Sequence, residues 1–116
     1  MDTEYTVDQH FVGKEPIVRK IYDRLVQKMS VIGNVSEDPK KTSIHLNHHT
    51  ALAGVATRKN YLLLNIKSAR PLESPRFRKA EKLSASRYHQ ETKLEKPEDV
   101  DEELLLWLQA AYELSA

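Results

Sequence analysis

Apolar residues recur at helical spacing near both ends of this chain and at every second position in its middle. Pro16 suits the first turn of a helix, and Gly33-Asn34 supplies a C-terminal stop. Between them the apolar residues form one stripe: Ile17, Val18, Ile21, Tyr22, Leu25, Met29 and Ile32. This pattern predicts an amphipathic helix that packs on a core.

Alternation replaces the helical period in the centre of the chain. Thr42–Asn47, Leu52–Thr57 and Tyr61–Lys67 follow one another with short links, which predicts three strands of an antiparallel meander. Gly54 lies inside the second strand and suggests the close approach of a neighbouring element. Arg87–Leu94 alternates once more and predicts a fourth strand.

Two segments lack this alternation. Asn34–Lys41 is rich in turn-forming residues and predicts a connection. Ser68–Ser86 contains Pro71, Pro75 and many bases, so we expect a long surface loop, a kind of segment that often carries function.

A second amphipathic helix is predicted at the C-terminal end. Its start is rich in acids, which complement the helix dipole, and Asp99 or Asp101 is the expected N-cap. The predicted buried stripe is Val100, Leu104, Leu105, Leu108, Ala111 and Tyr112. We therefore predict a two-layer α+β fold, a single domain over residues 1–116. A mainly antiparallel four-stranded sheet carries an N-terminal and a C-terminal helix on one face, in the order α-β-β-β-loop-β-α.

The charges of the chain are segregated, although the formal net charge is only +1. The segment from Pro39 to Lys93 contains twelve Lys or Arg residues and three acids, whereas the flanks contain six bases and fourteen acids. A basic middle between acidic ends predicts a surface that attracts an anionic partner.

Strand periodicity indicates where that surface lies. If Ile44, Leu46, Leu62 and Leu64 pack under the helices, their neighbours in sequence point to the opposite sheet face. The predicted anion-binding residues on this face and the adjoining loop are Lys41, Arg58, Lys67, Arg76, Arg78 and Arg87, with His45, Tyr61 and His89 nearby.

The leading hypothesis for function is a non-enzymatic binding module that contacts an anionic ligand such as nucleic acid. The alternative is a protein-interaction or self-association domain, in which the basic middle of one chain meets the acidic helix start of another. A third hypothesis is an enzyme that acts on a small anionic substrate through His89. Catalysis is the less favoured class because no nucleophile motif or Gly-rich phosphate loop is present.

Other classes are excluded or not indicated. The chain has no cysteine, and its histidines lack the spacing and nearby carboxylates of a metal site, so neither a metal nor another cofactor is predicted. Met1–Glu4 is acidic and does not resemble a secretory signal. Since the apolar runs are too short to cross a bilayer, we expect a soluble cytoplasmic protein without membrane contact.

The order of several short segments along the chain also resembles that of an uncharacterised bacterial family of small domains of unknown function. The resemblance covers nearly the entire chain, and Tyr88 stands where the family pattern often has Trp. It implies a stand-alone or C-terminal α+β domain and no established activity. Some members are loosely described as predicted transport proteins, but the sequence does not support this description because it contains no membrane span. The segments that carry the resemblance are His10–Lys14, Pro39–Thr42, Pro71–Arg76, Arg87–His89, Glu98–Leu104 and Ala111–Tyr112.

Overall fold

In the structure, a computed structural model that describes residues 5–115, two helices lie on one face of a six-stranded antiparallel sheet. The acidic start, Met1–Glu4, lies outside the described residues. The helices are α1, Pro16–Ile32, and α2, Glu102–Leu114. The strands are β1, Ser36–Pro39; β2, Ile44–Asn47; β3, Ala51–Thr57; β4, Leu62–Ser68; β5, Phe77–Ser84; and β6, Arg87–Leu94.

The predicted α+β class and antiparallel sheet are confirmed, but the prediction of four strands is wrong. The strand order is β1-β2-β3-β4-β6-β5, so the two unpredicted strands form the two edges. β1 lies in the segment predicted as a connection, and β5 lies in the segment predicted as a long loop. An edge strand is held by backbone hydrogen bonds along one side, so it needs no alternating apolar face.

The core lies between the helices and the inner face of the sheet. Both predicted apolar stripes meet there, and the inward residues of the central strands are fully buried. The pairing of β2 with β3 contains a bulge: Leu46 pairs with Ala53 and Asn47 pairs with Ala51, so Leu52 is the extra residue. Leu52 and Ala53 are both buried. The principal residues of this core are Val18, Ile21, Tyr22, Leu25, Met29, Ile44, Leu46, Val55, Leu62, Leu64, Ile66, Leu94, Leu104 and Leu108.

The start of α2 is capped as predicted by one of the two candidate residues. Asp101 is the N-cap, and its Oδ1 accepts a hydrogen bond of 3.0 Å from the Leu104 backbone N–H. Burial opposes ionisation of this carboxyl, but the Leu104 N–H and Arg76 outweigh it and lower the pKa of Asp101. The cap is therefore ionised at neutral pH and suits the positive end of the helix dipole.

Three segments meet where α1 ends. The ring of Tyr112 from α2 lies directly over Gly33, in the space that a Cβ at this position would need. The Asn34 backbone N–H donates to the Tyr112 hydroxyl at 3.2 Å, and the His48 ring stacks on Tyr112 with 4.0 Å between centroids. Gly33 is needed here for close approach, which ties α1, α2 and the β2–β3 turn together.

The helices are short in relation to a bilayer. Within residues 5–115, neither α1 nor α2 combines the length and the apolar character that a membrane-spanning helix requires.

Candidate anion-binding face of the sheet

Both helices pack on one side of the sheet, and alternate side chains of the strands point to the other side, which we call the open face. Strand pairing places His45, Gly54, Asn65 and Glu91 side by side across four strands of the open face. In the neighbouring row, Lys67 lies opposite His89, and His89 lies opposite Glu81. The open face thus carries polar groups from strands that are distant in sequence.

A hollow in the open face lies over β3. Its volume is about 170 Å³, and Gly54 contributes to its floor because a Cβ added there would meet no atom within 4 Å. The suggestion that an element approaches Gly54 is therefore wrong: the glycine faces open space. We call this depression the central hollow; its polar lining is Ser43, His45, Asn65 and His89.

A second depression adjoins the central hollow on the side of β5. Its volume is about 290 Å³, and it shares Asn65 and His89 with the central hollow. Lys79, Ala80, Glu81 and Glu91 complete its lining, and we call it the acidic hollow after its two glutamates. Among the described residues, the lining of the two hollows therefore contains no acid on the β3 side of His89 and two glutamates on the β5 side.

Lys67 and Arg87 provide positive charge on the open face close to His89. The Lys67 Nζ donates to the Thr50 hydroxyl at 2.9 Å, and the Arg87 Nη1 donates to the Ser86 carbonyl at 2.8 Å. In the part of the chain that the structure describes, neither side chain forms an ion pair with a carboxylate. Pairing of Ser68 with Tyr88 places Lys67 and Arg87 on neighbouring strands, and burial, followed by the charge of Arg87, lowers the pKa of Lys67.

His89 lies between the two hollows and is half-buried. Burial lowers the pKa of His89 below its usual 6.5; the Glu81 charge opposes this change, and the charges of Lys67 and His45 reinforce it. The imidazole is therefore neutral at neutral pH, with one nitrogen that donates and one that accepts.

Of the residues predicted to bind an anion, Lys67 lies opposite His89, Arg87 lies two positions before His89 on the same strand, and His45 lies in the neighbouring row. The others lie elsewhere. Arg58 is exposed in the β3–β4 turn, at the opposite end of β4 from Lys67, and Lys41 is exposed between β1 and β2. Arg78 is exposed on β5, 3.9 Å from Glu91.

Tyr61 lies just before β4, and its ring is covered by the Lys93 ammonium group, 4.4 Å from the ring centroid. This cation–π contact occupies one side of the ring.

Arg76 is placed at the start of α2 and is not part of the open face. Its Nη1 lies 2.9 Å from Asp101 Oδ1 and 3.1 Å from Glu103 Oε1, and its Nη2 donates to the Asp99 carbonyl at 2.7 Å. Its guanidinium also lies over the Trp107 ring. The contact between basic middle and acidic helix start, which the alternative hypothesis places between two chains, is thus made within one chain.

The period of two predicts that Asn65 points to the open face. Asn65, Gly54 and the acids were not among the predicted site residues. A glycine inside a strand of small residues was the available signal for a hollow. Two of the three acids of the basic middle, Glu81 and Glu91, meet in the acidic hollow, which depends on the pairing of β5 with β6. Among residues 5–115, no group of three or more His, Cys, Asp or Glu is placed to hold a metal ion.

Comparison with known proteins identifies the family. Residues 7–115 match the domain of unknown function DUF5655, and the chain belongs to this family. The resemblance drawn from the sequence to an uncharacterised domain family is thereby confirmed. No curated protein and no solved structure gave a match to the chain.

Proposed function

We propose that this member of the DUF5655 family is a binding module that receives an anionic ligand on the open face of its sheet. Lys67 and Arg87 supply the charge, and His45, Asn65 and His89 supply hydrogen bonds. The ligand is bound and not transformed in this proposal. That His89 acts as a base on a small substrate stays a prediction.

The observation that carries the proposal is the state of Lys67 and Arg87. Both are partly buried, they repel each other, and neither is neutralised by a carboxylate among the residues that are described. Such a pair loses hydration without gaining a counter-charge, so it weakens the folded state. An anion bound beside them offsets both the repulsion and the lost hydration, because its interaction with each base is favourable.

The remaining bases have different roles in this proposal. Lys41, Arg58 and Arg78 are exposed and do not line the central hollow, so they act on the ligand through long-range attraction, which salt screens. Arg76 is engaged by Asp101 and Glu103, and its role is to hold the segment before β5 against α2.

The test is a fluorescence titration of the protein with short single- and double-stranded nucleic acids and with inorganic polyphosphate, at low and at physiological salt. We expect binding that weakens steeply as salt is added. Lys67→Gln combined with Arg87→Gln should reduce affinity by about tenfold or more, which corresponds to at least ~1.4 kcal/mol.

A matched control removes one Lys and one Arg away from the site. Lys20→Gln combined with Arg58→Gln makes the same change of charge on the exposed side of α1 and in the β3–β4 turn. It should change the affinity by less than about twofold, since only long-range attraction is lost. Equal losses in the two double variants, or no binding of any polyanion at low salt, would overturn the proposal.

A further inference from the structure

We propose that the central hollow accepts a terminal phosphate group, that of a phosphomonoester, and does not follow a continuous phosphodiester backbone. This inference rests on the proposed function and specifies its ligand. The juxtaposition that carries it is a small polar hollow over Gly54, with Lys67 opposite His89 at its edge and Glu81 and Glu91 beyond His89.

The central hollow has the size and polar lining that suit a compact anion. A hollow of about 170 Å³ with Ser43, His45, Asn65 and His89 in its lining offers several hydrogen-bond donors in a small space. A phosphomonoester presents three terminal oxygens and up to two negative charges, whereas each phosphodiester presents one charge. Lys67 lies opposite His89 of this lining and forms no ion pair with a carboxylate among the described residues, so its charge favours the more highly charged monoester.

Carboxylates lie on the open face next to the central hollow. Beyond His89 the open face continues into the acidic hollow, where Glu81 and Glu91 are part of the lining. A second phosphate in this direction would meet repulsion from the Glu81 carboxylate, which forms no ion pair among the described residues, whereas Lys79 and Arg78 offset part of the charge of the glutamates. The alcohol part of a monoester meets no such repulsion, since hydroxyl groups donate to carboxylates.

The described part of the open face offers few aromatic surfaces for stacking. Single-stranded nucleic acid is held in large part by bases that stack on exposed aromatic rings. On the described part of the open face, Tyr61 is the one ring apart from the histidines, and the Lys93 ammonium group covers one side of it. Recognition of an extended strand therefore has few contacts available here, whereas a terminal phosphate needs none of them.

The experiment compares one single-stranded oligonucleotide with and without a 5′-phosphate, each labelled at its 3′ end, in the same titration. We expect the phosphorylated form to bind about tenfold more tightly. Inorganic phosphate should compete, and the backbone amide signals of Gly54 and Asn65 should shift when it is added.

A variant that fills the hollow locates the bound phosphate. Gly54→Leu should abolish the preference for the phosphorylated strand, because its side chain extends into the space that the phosphate would occupy. Ala110→Leu, which enlarges an exposed residue of α2, is the matched control and should retain the preference. Circular dichroism of both variants verifies that the fold persists; Gly54→Ala provides a smaller filling if Gly54→Leu fails to fold.

The outcomes separate this inference from the proposed function. If both oligonucleotides bind equally and the Lys67 and Arg87 variant weakens both, the open face binds anions but the terminal-phosphate inference is overturned. A preference that persists in the Gly54 variants also overturns it, since the phosphate would then lie elsewhere. If neither strand, polyphosphate nor inorganic phosphate binds at low salt, both proposals fail.

Discussion

Gly54 is a residue whose contribution to stability and proposed contribution to binding oppose each other. Its backbone lies in the middle of β3, where glycine costs conformational entropy and packs no side chain. A Cβ at this position would meet no atom within 4 Å, so steric clash does not require the glycine. The space above it is what the proposed ligand uses.

Gly54→Ala should therefore raise the free energy of unfolding by about 0.5–1 kcal/mol. Urea denaturation followed by circular dichroism measures this change, and the same variant should bind the phosphorylated strand less tightly. A loss of stability would show that the backbone at position 54 needs the freedom of glycine.

At the scale of elements, edge strand β1 depends on a contact from α1. The Tyr22 hydroxyl donates to Glu37 Oε1 at 2.6 Å, and the Tyr22 ring is buried in the core. Burial, followed by the hydrogen bond with Glu37, raises the pKa of Tyr22, so this hydroxyl remains a donor at any ordinary pH. The bond joins a four-residue strand to the helix layer.

Tyr22→Phe should lower the free energy of unfolding by about 1–2 kcal/mol, because the lost bond has a charged acceptor. Amide hydrogen exchange of Glu37 and Asp38 should become faster, while exchange within β4 follows only the global change. Tyr5→Phe alters an exposed tyrosine and serves as control. Unchanged exchange in β1 would show that the β2 ladder alone holds this strand.

The elements that sequence predicted are those with a buried face. Both helices and the strands β2, β3, β4 and β6 have apolar residues at regular spacing, and this spacing is the signal that periodicity detects. β1 contains two acids and Pro39, and β5 is exposed along almost its whole length, so neither shows alternation. The unusual length of the expected loop was the remaining signal that a strand had been missed.

The candidate site was predicted to the extent that it depends on local geometry. The period of two placed Lys67 and His89 on the face opposite the helices, and strand pairing then set them side by side. The pairing of Arg76 with Asp101 depends on how the segment before β5 packs on α2, a contact between distant parts of the chain. Charge counting along the sequence cannot distinguish a base in such a pair from one that faces solvent.

At the scale of the whole molecule, the basic middle is not one continuous patch. Lys67 and Arg87 lie at one end of β4, Arg58 lies at the other end, and Arg76 neutralises part of the acidic start of α2. Segregation of charge in the sequence is therefore partly cancelled by folding. What remains for a ligand is a local group of charges on the open face.

The stability of the whole molecule should also depend on pH through His89. Because burial keeps its pKa below 6.5, the unfolded chain takes up a proton near this pH that the folded chain does not. The unfolded state then binds more protons, so the free energy of unfolding falls as the pH is lowered through 6.5. The groups facing this imidazole are Lys67, His45 and Glu81.

Urea denaturation at pH values above and below 6.5 measures this effect. The free energy of unfolding of the His89→Gln variant should fall less steeply than that of the unchanged protein over the same pH range, because one titrating group is removed. Parallel curves for the two proteins would show that His89 titrates equally in both states. Nuclear magnetic resonance of the imidazole signals would then report the unshifted value directly.

The contact between Gly33 and Tyr112 has a consequence for how sequences of this family diverge. The aromatic ring occupies the volume of the missing Cβ, so the two positions share one space although they are far apart in sequence. A homologue that carries alanine or serine at the first position should have a smaller residue at the second. Covariation of this pair across the family would show that the contact between the two helices is maintained during evolution.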